Sequence, residues 1–137
     1  MTAAVVTLTF SPALDVATSV DTITPSRKLR CEPPRTEAGG GGINVARVAQ
    51  RLGADAQAIA PLGGEHGRLV VDQLTAEGVS VEPIFTDNPI RQSFSVTEKS
   101  TGHQYRFVLP PQPLASIDAE PCIAATCDFG RRAGCVV

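Results

Sequence analysis

The spacing of apolar residues divides most of the chain into alternating strands and helices. Short runs of buried type predict β-strands at Ala3–Phe10, Ala56–Pro61 and Val79–Phe85. A helical spacing predicts amphipathic helices at Ile43–Leu52 and Gly67–Glu77, each followed by a glycine stop, Gly53 and Gly78. The order strand, helix, strand, helix, strand predicts parallel pairing in an α/β sheet.

A second group of segments alternates apolar and polar positions, which is typical of half-exposed strands. These segments are Asp15–Val20, Lys28–Glu32, Gln92–Glu98 and Gln104–Leu109. Thr101-Gly102 separates the last two and is suited to a hairpin turn. We therefore expect a small antiparallel sheet that flanks the parallel core.

The character of the sequence changes after Leu109. Pro110-Pro111-Gln112-Pro113 reads as a stiff linker, and no convincing helical period follows it. The coherent part of the chain is therefore expected to span residues 1–113, with residues 114–137 as an atypical tail.

Length and charge exclude several classes of protein. A chain of 137 residues that is 42% hydrophobic is expected to form one domain. A net charge of −2 argues against a nucleic-acid binder. The N-terminus has neither a positive region nor a long apolar run, so no signal peptide or membrane span is expected. The four cysteines form no CxxC pair, which favours reduced thiols in a cytoplasmic protein over a zinc site.

Four consecutive glycines, Gly39 to Gly42, come directly before the first predicted helix. Backbone N–H groups at a helix start suit an anion, or a ligand that must approach the backbone closely. A dinucleotide fingerprint is disfavoured because Asn44 and Val45 occupy the positions where glycine is needed, and neither lysine follows a glycine as a P-loop requires. A flexible linker stays open as the structural alternative. Asn44 is suited equally to a ligand hydroxyl and to a plain helix start.

A longer motif surrounds the glycine run. Gly39-Gly40-Gly41-Gly42-Ile43-Asn44-Val45-Ala46, with the later Gly53 and Gly63, resembles the first signature of the PfkB (ribokinase-like) carbohydrate kinases. Thr7–Asp15 is similar to that family's first strand and substrate aspartate. Lys28–Cys31 and Gln104–Pro110 resemble its bacterial minor 6-phosphofructokinase branch, which the quadruple glycine also favours. The resemblance covers about residues 5–113 and implies a partial ribokinase-like parallel sheet with an antiparallel β-lid.

The resemblance assigns roles that the residues alone leave open. It implies a substrate site made of Asp15, Lys28, Gly39, Gly40, Asn44, Arg91 and Arg106, in which the arginines and Lys28 neutralise a sugar phosphate. Taken without the resemblance, Asp15 is a turn residue and the basic side chains are solvated strand charges. Four other side chains receive no such role: Arg47 and Arg51 are expected on a solvent face, and His66 and His103 at the surface. Cys31 is expected to pack in the small sheet.

The resemblance also implies an activity, ATP-dependent phosphorylation of fructose 6-phosphate to fructose 1,6-bisphosphate in glycolysis. ATP and Mg²⁺ are the implied cofactors, and a homodimer through the β-lid is the implied assembly. The implied general base is the aspartate of a GxGD motif, and nothing in this sequence matches that motif. We therefore expect the chain to carry the sugar-binding half and to be inactive alone, with no nucleic-acid or membrane partner.

The sequence leaves several further questions open. The chain is either part of a kinase or a non-catalytic sugar-phosphate-binding fragment or truncated product without activity. Cys127-Asp128-Phe129 resembles the entry to the family's next core strand, yet Gly130-Arg131-Arg132 follows where valines are expected. This contrast suggests a reading-frame change near residue 129. The choice among fructose 6-phosphate, fructose 1-phosphate and tagatose 6-phosphate is also left open.

Overall fold

A computed structural model describes residues 4–137 of the chain. Its elements in chain order are β1 (Val5–Leu8), β2 (Ala13–Val20), β3 (Arg35–Gly39), α1 (Gly41–Arg51), β4 (Ala56–Pro61), α2 (Gly64–Ala76), β5 (Ser80–Ile84), β6 (Arg91–Glu98), β7 (Gln104–Val108), α3 (Ser116–Gly130) and β8 (Cys135–Val136). The predicted strand at the N-terminus began at Ala3, which lies outside the described residues. The predicted order of core strands and helices is confirmed.

The core sheet has the strand order β5-β4-β1-β8, and all neighbouring strands run parallel. One face of β4, lined by small alanine side chains, packs against α1 and α2 through residues such as Ile43 and Leu74. The opposite face of the sheet, with Val6 of β1 and Ile59 of β4, packs against Cys122 of α3. Helices thus cover both faces of the sheet, as a parallel sheet requires.

The helix stops lie where the sequence predicts them. Gly53 follows α1 with a φ of 86°, and Gly78 follows α2 with a φ of 80°. Both values lie in the left-handed region that glycine adopts without steric cost, so the chain can turn sharply into the next strand.

The second sheet, which we call the lid, has the strand order β3-β2-β6-β7. Its outer pairs are antiparallel, but β2 and β6 pair in parallel over eight residues, so the sheet is mixed rather than antiparallel throughout. The predicted strand at 28–32 is wrong: residues 21–34 are irregular and largely exposed, and the strand begins only after Pro33-Pro34. Proline lacks the N–H that a ladder needs. Cys31 is exposed in this segment instead of packed.

The prediction that no helix follows the proline linker is also wrong. α3 covers Ser116–Gly130, so Cys127-Asp128-Phe129 lies in its last turn and not at a strand entry. Its helical period is weak because Ile117 and Ile123 are 79% and 49% exposed, so apolar residues are not confined to the core-facing side. β8 then joins the core sheet beside β1. The division of the chain at residue 113 stays a prediction.

No helix within residues 4–137 combines the length and the apolar character that a membrane crossing needs.

Candidate functional site

The candidate site lies where the core strands end and the lid begins. The glycine run enters α1 directly beyond the carboxyl end of β1, the edge at which open α/β sheets bind ligands. Thr9, just after β1, accepts a hydrogen bond at its Oγ1 from the Ile43 N–H at 3.0 Å. This N–H is one of the donors that a helix start leaves unpaired, so Thr9 caps α1 from another element.

Three glycines of the run, Gly39, Gly40 and Gly42, are packed closely against neighbouring atoms. A Cβ on Gly39 would lie 2.8 Å from the Asp15 Cγ, and one on Gly40 would lie 2.6 Å from the Thr9 Cγ2. Gly40 also has a φ of 131°, which side-chain-bearing residues rarely adopt. The run is therefore a packed turn and not a flexible linker.

The register of the lid strands gathers polar residues on one face. Asp15 pairs with Ser93, and Ser95 pairs with Arg106. Because side chains alternate along a strand, these four residues share a face with Arg91, which is two positions before Ser93. Asp15, Ser93, Ser95 and Arg106 line one cavity of about 260 Å³ on this face. The structure thus brings together a carboxylate and a guanidinium that are far apart in sequence.

Arg91 has hydrogen-bonding capacity to spare. It is the first residue of β6, and its Nη1 donates to the Leu109 carbonyl at a long 3.4 Å. Its Nε is buried and has no hydrogen-bond partner within residues 4–137. Most buried donors in folded proteins are paired, so this orphan donor is consistent with a ligand that completes it.

Lys28 and Asn44 are not brought into the same cavity. Lys28 lies on the exposed irregular segment between β2 and β3, and Asn44 is exposed on the first turn of α1. The backbone N–H of Asn44 donates to the Gly40 carbonyl at 2.9 Å, so its main chain belongs to the helix start. The 260 Å³ cavity is lined by neither residue, and Gly39, Gly40 and Arg91 do not line it either.

Sequence reasoning misjudged Arg47. Its side chain is 13% exposed, against 65% for Arg51, and it donates from Nε and Nη2 to Glu77 at 2.8 and 2.7 Å. The hydrogen bonds to Glu77 raise the pKa of Arg47 against the opposing effect of burial, and the charges of Glu37 and Asp15 also favour its charged form. The helical spacing alone could not reveal these contacts, since every partner comes from another element.

The roles of Thr9, Ser93 and Ser95 were also missed. The alternation of serines with Phe94 and Val96 was a usable signal, because it marks one polar face on an otherwise apolar strand.

The glycine run does not fit the phosphates of a nucleotide. The Asp15 carboxylate lies directly against Gly39 and would repel an anion held there. Within residues 4–137, no group of three or more His, Cys, Asp and Glu side chains is placed to hold a metal ion. The site can instead accept hydrogen bonds at Asp15 and donate them from the lid arginines, which suits a neutral polyol joined to an anion.

Comparison with known proteins extends this description. The model of the pfkB family carbohydrate kinases matches residues 10–129. The chain belongs to this family. The PfkB match runs through the proline linker and most of α3, beyond the end of the resemblance expected from the sequence.

The similar PfkB proteins include named 6-phosphofructokinases. The chain is 45% identical over 119 residues to the ATP-dependent 6-phosphofructokinase isozyme 2 of Mycobacterium tuberculosis, covering 87% of this chain and 35% of that protein. The crystal structure of Escherichia coli phosphofructokinase-2 with fructose-6-phosphate matches with a TM-score of 0.87 and 40% identity, over 93% of this chain and 42% of that one. A tetrameric inhibited form of the same E. coli enzyme matches equally, over 94% and 42%. The fold is therefore ribokinase-like, and the chain spans about two fifths of the length of these relatives or less.

Proposed function

We propose that this chain binds fructose 6-phosphate as the acceptor-sugar site of an ATP-dependent 6-phosphofructokinase. The observation that carries the proposal is the cavity of about 260 Å³ lined by both Asp15 and Arg106, in which the Asp15 carboxylate also lies against Gly39 of the glycine run. The names of the M. tuberculosis and E. coli relatives, and the sugar phosphate named with the E. coli structure, support the choice of ligand.

Each proposed contact follows from the chemistry of its group. Asp15 accepts hydrogen bonds from sugar hydroxyls, and the absence of a side chain on Gly39 and Gly40 lets the sugar approach the backbone. Arg106 and Arg91 donate charge-assisted hydrogen bonds to the phosphate, to which the unpaired Nε of Arg91 is well suited.

Two further members of the proposed site stand on the family resemblance. Asn44 contributes its amide to a sugar hydroxyl, and Lys28 adds positive charge near the phosphate. Both are exposed in the structure, so their side chains are free to reach a ligand.

The proposed reaction transfers the γ-phosphoryl group of ATP, with Mg²⁺, to a hydroxyl of the bound sugar. The described residues supply the acceptor side, and we expect the chain to bind the sugar without phosphorylating it efficiently. A coupled kinase assay on the purified chain, with Asp15→Ala as the control, tests this expectation. Turnover well above the control would contradict it. Sugar-phosphate binding without turnover is the expected result, and it would make the chain taken alone a non-catalytic binding fragment.

Isothermal titration with fructose 6-phosphate, fructose 1-phosphate and tagatose 6-phosphate tests the choice of substrate. We expect Arg106→Ala to weaken binding of the preferred sugar phosphate by roughly 1.5–3 kcal/mol, the contribution of a hydrogen bond to a charged group. Unphosphorylated fructose serves as the control ligand. An equal loss for fructose would show that Arg106 does not contact the phosphate.

We also infer that the lid joins two copies of the chain in a cytoplasmic homodimer. The face of the lid opposite Asp15 carries Phe94 paired with Phe107 and Val96 paired with Tyr105. Phe107 is 57% exposed and Tyr105 is 37% exposed, so this apolar face has room for a partner. Sedimentation velocity of Phe107→Glu tests the interface. A mass unchanged from that of a dimeric wild type would exclude this face.

A further inference from the structure

The outer edge of lid strand β3 is held by side chains from the two core helices. β3 pairs with β2 and forms one edge of its sheet, so its other edge has no strand partner within the described residues. On that edge the Thr36 carbonyl accepts a hydrogen bond from Gln73 Nε2 at 3.1 Å, and the Ala38 carbonyl accepts one from Arg47 Nη1 at 3.1 Å. The two carbonyls are two residues apart and therefore point to the same side of the strand.

Arg47 is itself fixed on its far side. Glu77, at the C-terminal cap of α2, accepts two hydrogen bonds from the Arg47 guanidinium. A bidentate pair of this kind fixes orientation as well as distance. One guanidinium therefore ties α1, the end of α2 and the lid strand together.

β3 in turn determines where Asp15 lies relative to the glycine run. Asp15 pairs with Glu37, and the next residues of the strand, Ala38 and Gly39, lead directly into the run. Gly39 lies against the Asp15 carboxylate. A shift of β3 along or away from the helices would therefore move Asp15 and the glycine backbone together relative to the core.

We propose that Arg47, assisted by Gln73, is a positioning residue of the sugar site, which holds β3 on the core helices and thereby places Asp15 and Gly39 for the ligand. The assignment rests on the proposed function. Arg47 does not line the cavity of Asp15 and Arg106; it acts through the Ala38 carbonyl.

The test compares sugar binding between variants whose loss of stability is measured alongside. Arg47→Met keeps the apolar stem of the side chain and removes its donors. Arg51→Met is the matched control, because Arg51 also contacts Glu77 but does not reach β3. Val70→Ala, on the buried face of α2, supplies a destabilised variant that keeps the hydrogen bonds of Arg47 and Gln73 to β3. Fructose 6-phosphate binding is measured by titration calorimetry at a temperature where every variant is folded.

We expect Arg47→Met to raise the dissociation constant by about tenfold or more, while Arg51→Met and Val70→Ala stay within about twofold of the wild type. Arg47→Lys, which can reach one of the two partners at a time, restores part of the affinity. The proposal is overturned if Arg47→Met and Val70→Ala have the same dissociation constant at an equal loss of melting temperature. Arg47 would then only stabilise the fold.

A second measurement needs no ligand. Hydrogen exchange of the peptide 35–42 should become faster in Arg47→Met, whereas exchange of 80–84 in β5 should not change. If the wild type fails to bind the sugar phosphate but 35–42 is selectively loosened, the proposed function is wrong and the holding role of Arg47 stands. Unchanged exchange in 35–42 would overturn that role whatever the binding result.

Discussion

Thr7 lies on β1 and Thr9 directly follows it, yet their hydroxyls are expected to have opposite effects on stability. The substitution of each by valine tests whether Thr9 caps α1. Thr9 Oγ1 accepts the hydrogen bond from the Ile43 N–H, and Thr9 is 6% exposed. Thr7 is fully buried, but its hydroxyl has no hydrogen-bond partner within residues 4–137. Valine has nearly the same shape as threonine, so each substitution replaces a hydroxyl with a methyl group and changes little else.

The expected changes differ in sign. Thr9→Val leaves the Ile43 N–H without an acceptor in the interior, which costs about 1–2 kcal/mol by the worth of a helix cap and of a buried unpaired donor. Thr7→Val removes an unpaired buried hydroxyl and is expected to stabilise the fold by about 0.5–1 kcal/mol. For 137 residues, an unfolding entropy near 2.1 cal/mol/K per residue converts each kcal/mol into about 3–4 °C of melting temperature.

Differential scanning calorimetry of the two variants and the wild type provides the measurement, with urea unfolding followed by circular dichroism as the check on two-state behaviour. The melting temperature should fall by about 3–7 °C for Thr9→Val and rise by about 2–4 °C for Thr7→Val. Equal shifts of the same sign in both variants would show that the loss of a hydroxyl from this strand matters in itself, and would refute the capping role of Thr9.

Three other expectations follow from the same structure. Gly42→Ala should lower the melting temperature because its Cβ would lie 2.6 Å from the Thr9 Oγ1 and 2.9 Å from the Leu8 carbonyl, whereas Gly41→Ala, with open space around it, should not; equal melting temperatures would contradict this packing. The hydrogen bond from Arg47 lowers the pKa of Glu77, so its contribution to stability is present above about 4.5, the ordinary glutamate value, and is lost as the pH falls through the lower folded pKa. Chemical unfolding at pH 6 and pH 3 should therefore show a smaller acid loss in Glu77→Gln than in the wild type, and an equal loss would exclude Glu77 as a source. Leu74→Ala should cost about 2–5 kcal/mol in urea unfolding because Leu74 is fully buried between α2 and the sheet; a cost below about 1 kcal/mol would mean that α2 is loosely packed.

The local features of the fold were predictable because each depends on a few neighbouring residues. Gly53 and Gly78 end their helices where a left-handed backbone is needed, and Gly102, with a φ of 75°, turns the lid hairpin. β4 was predicted with its observed bounds because its six residues are all buried and, apart from Gln57, apolar. Features of this kind depend only on residues that are consecutive in the chain.

α3 shows where local patterns fail. Its buried contact is made mainly by Cys122, while two isoleucines face outward, so the sequence carries no clear amphipathic stripe. Packing on the sheet stabilises this helix in spite of the internal Pro121, and packing is a property of the surface it meets. The second lid strand in chain order, β3, was misplaced for a related reason, since it forms where β2 offers a partner and not where the sequence alternates best.

The sequence by itself determined that four glycines precede the first helix, that a carboxylate follows the first strand, and that arginines lie on later strands of alternating character. Only the tertiary structure decided which residues each of these residues contacts. The glycine run, which on local grounds suited an anion, lies against the Asp15 carboxylate and Thr9. The register of three lid strands places Arg106 near Asp15. Arg47, placed by helical spacing on a solvent face, became a link between three elements. The physical reason is common to all of them: a residue's own conformational preference is local, whereas its partners are set by strand register and helix packing between segments that are far apart in the chain.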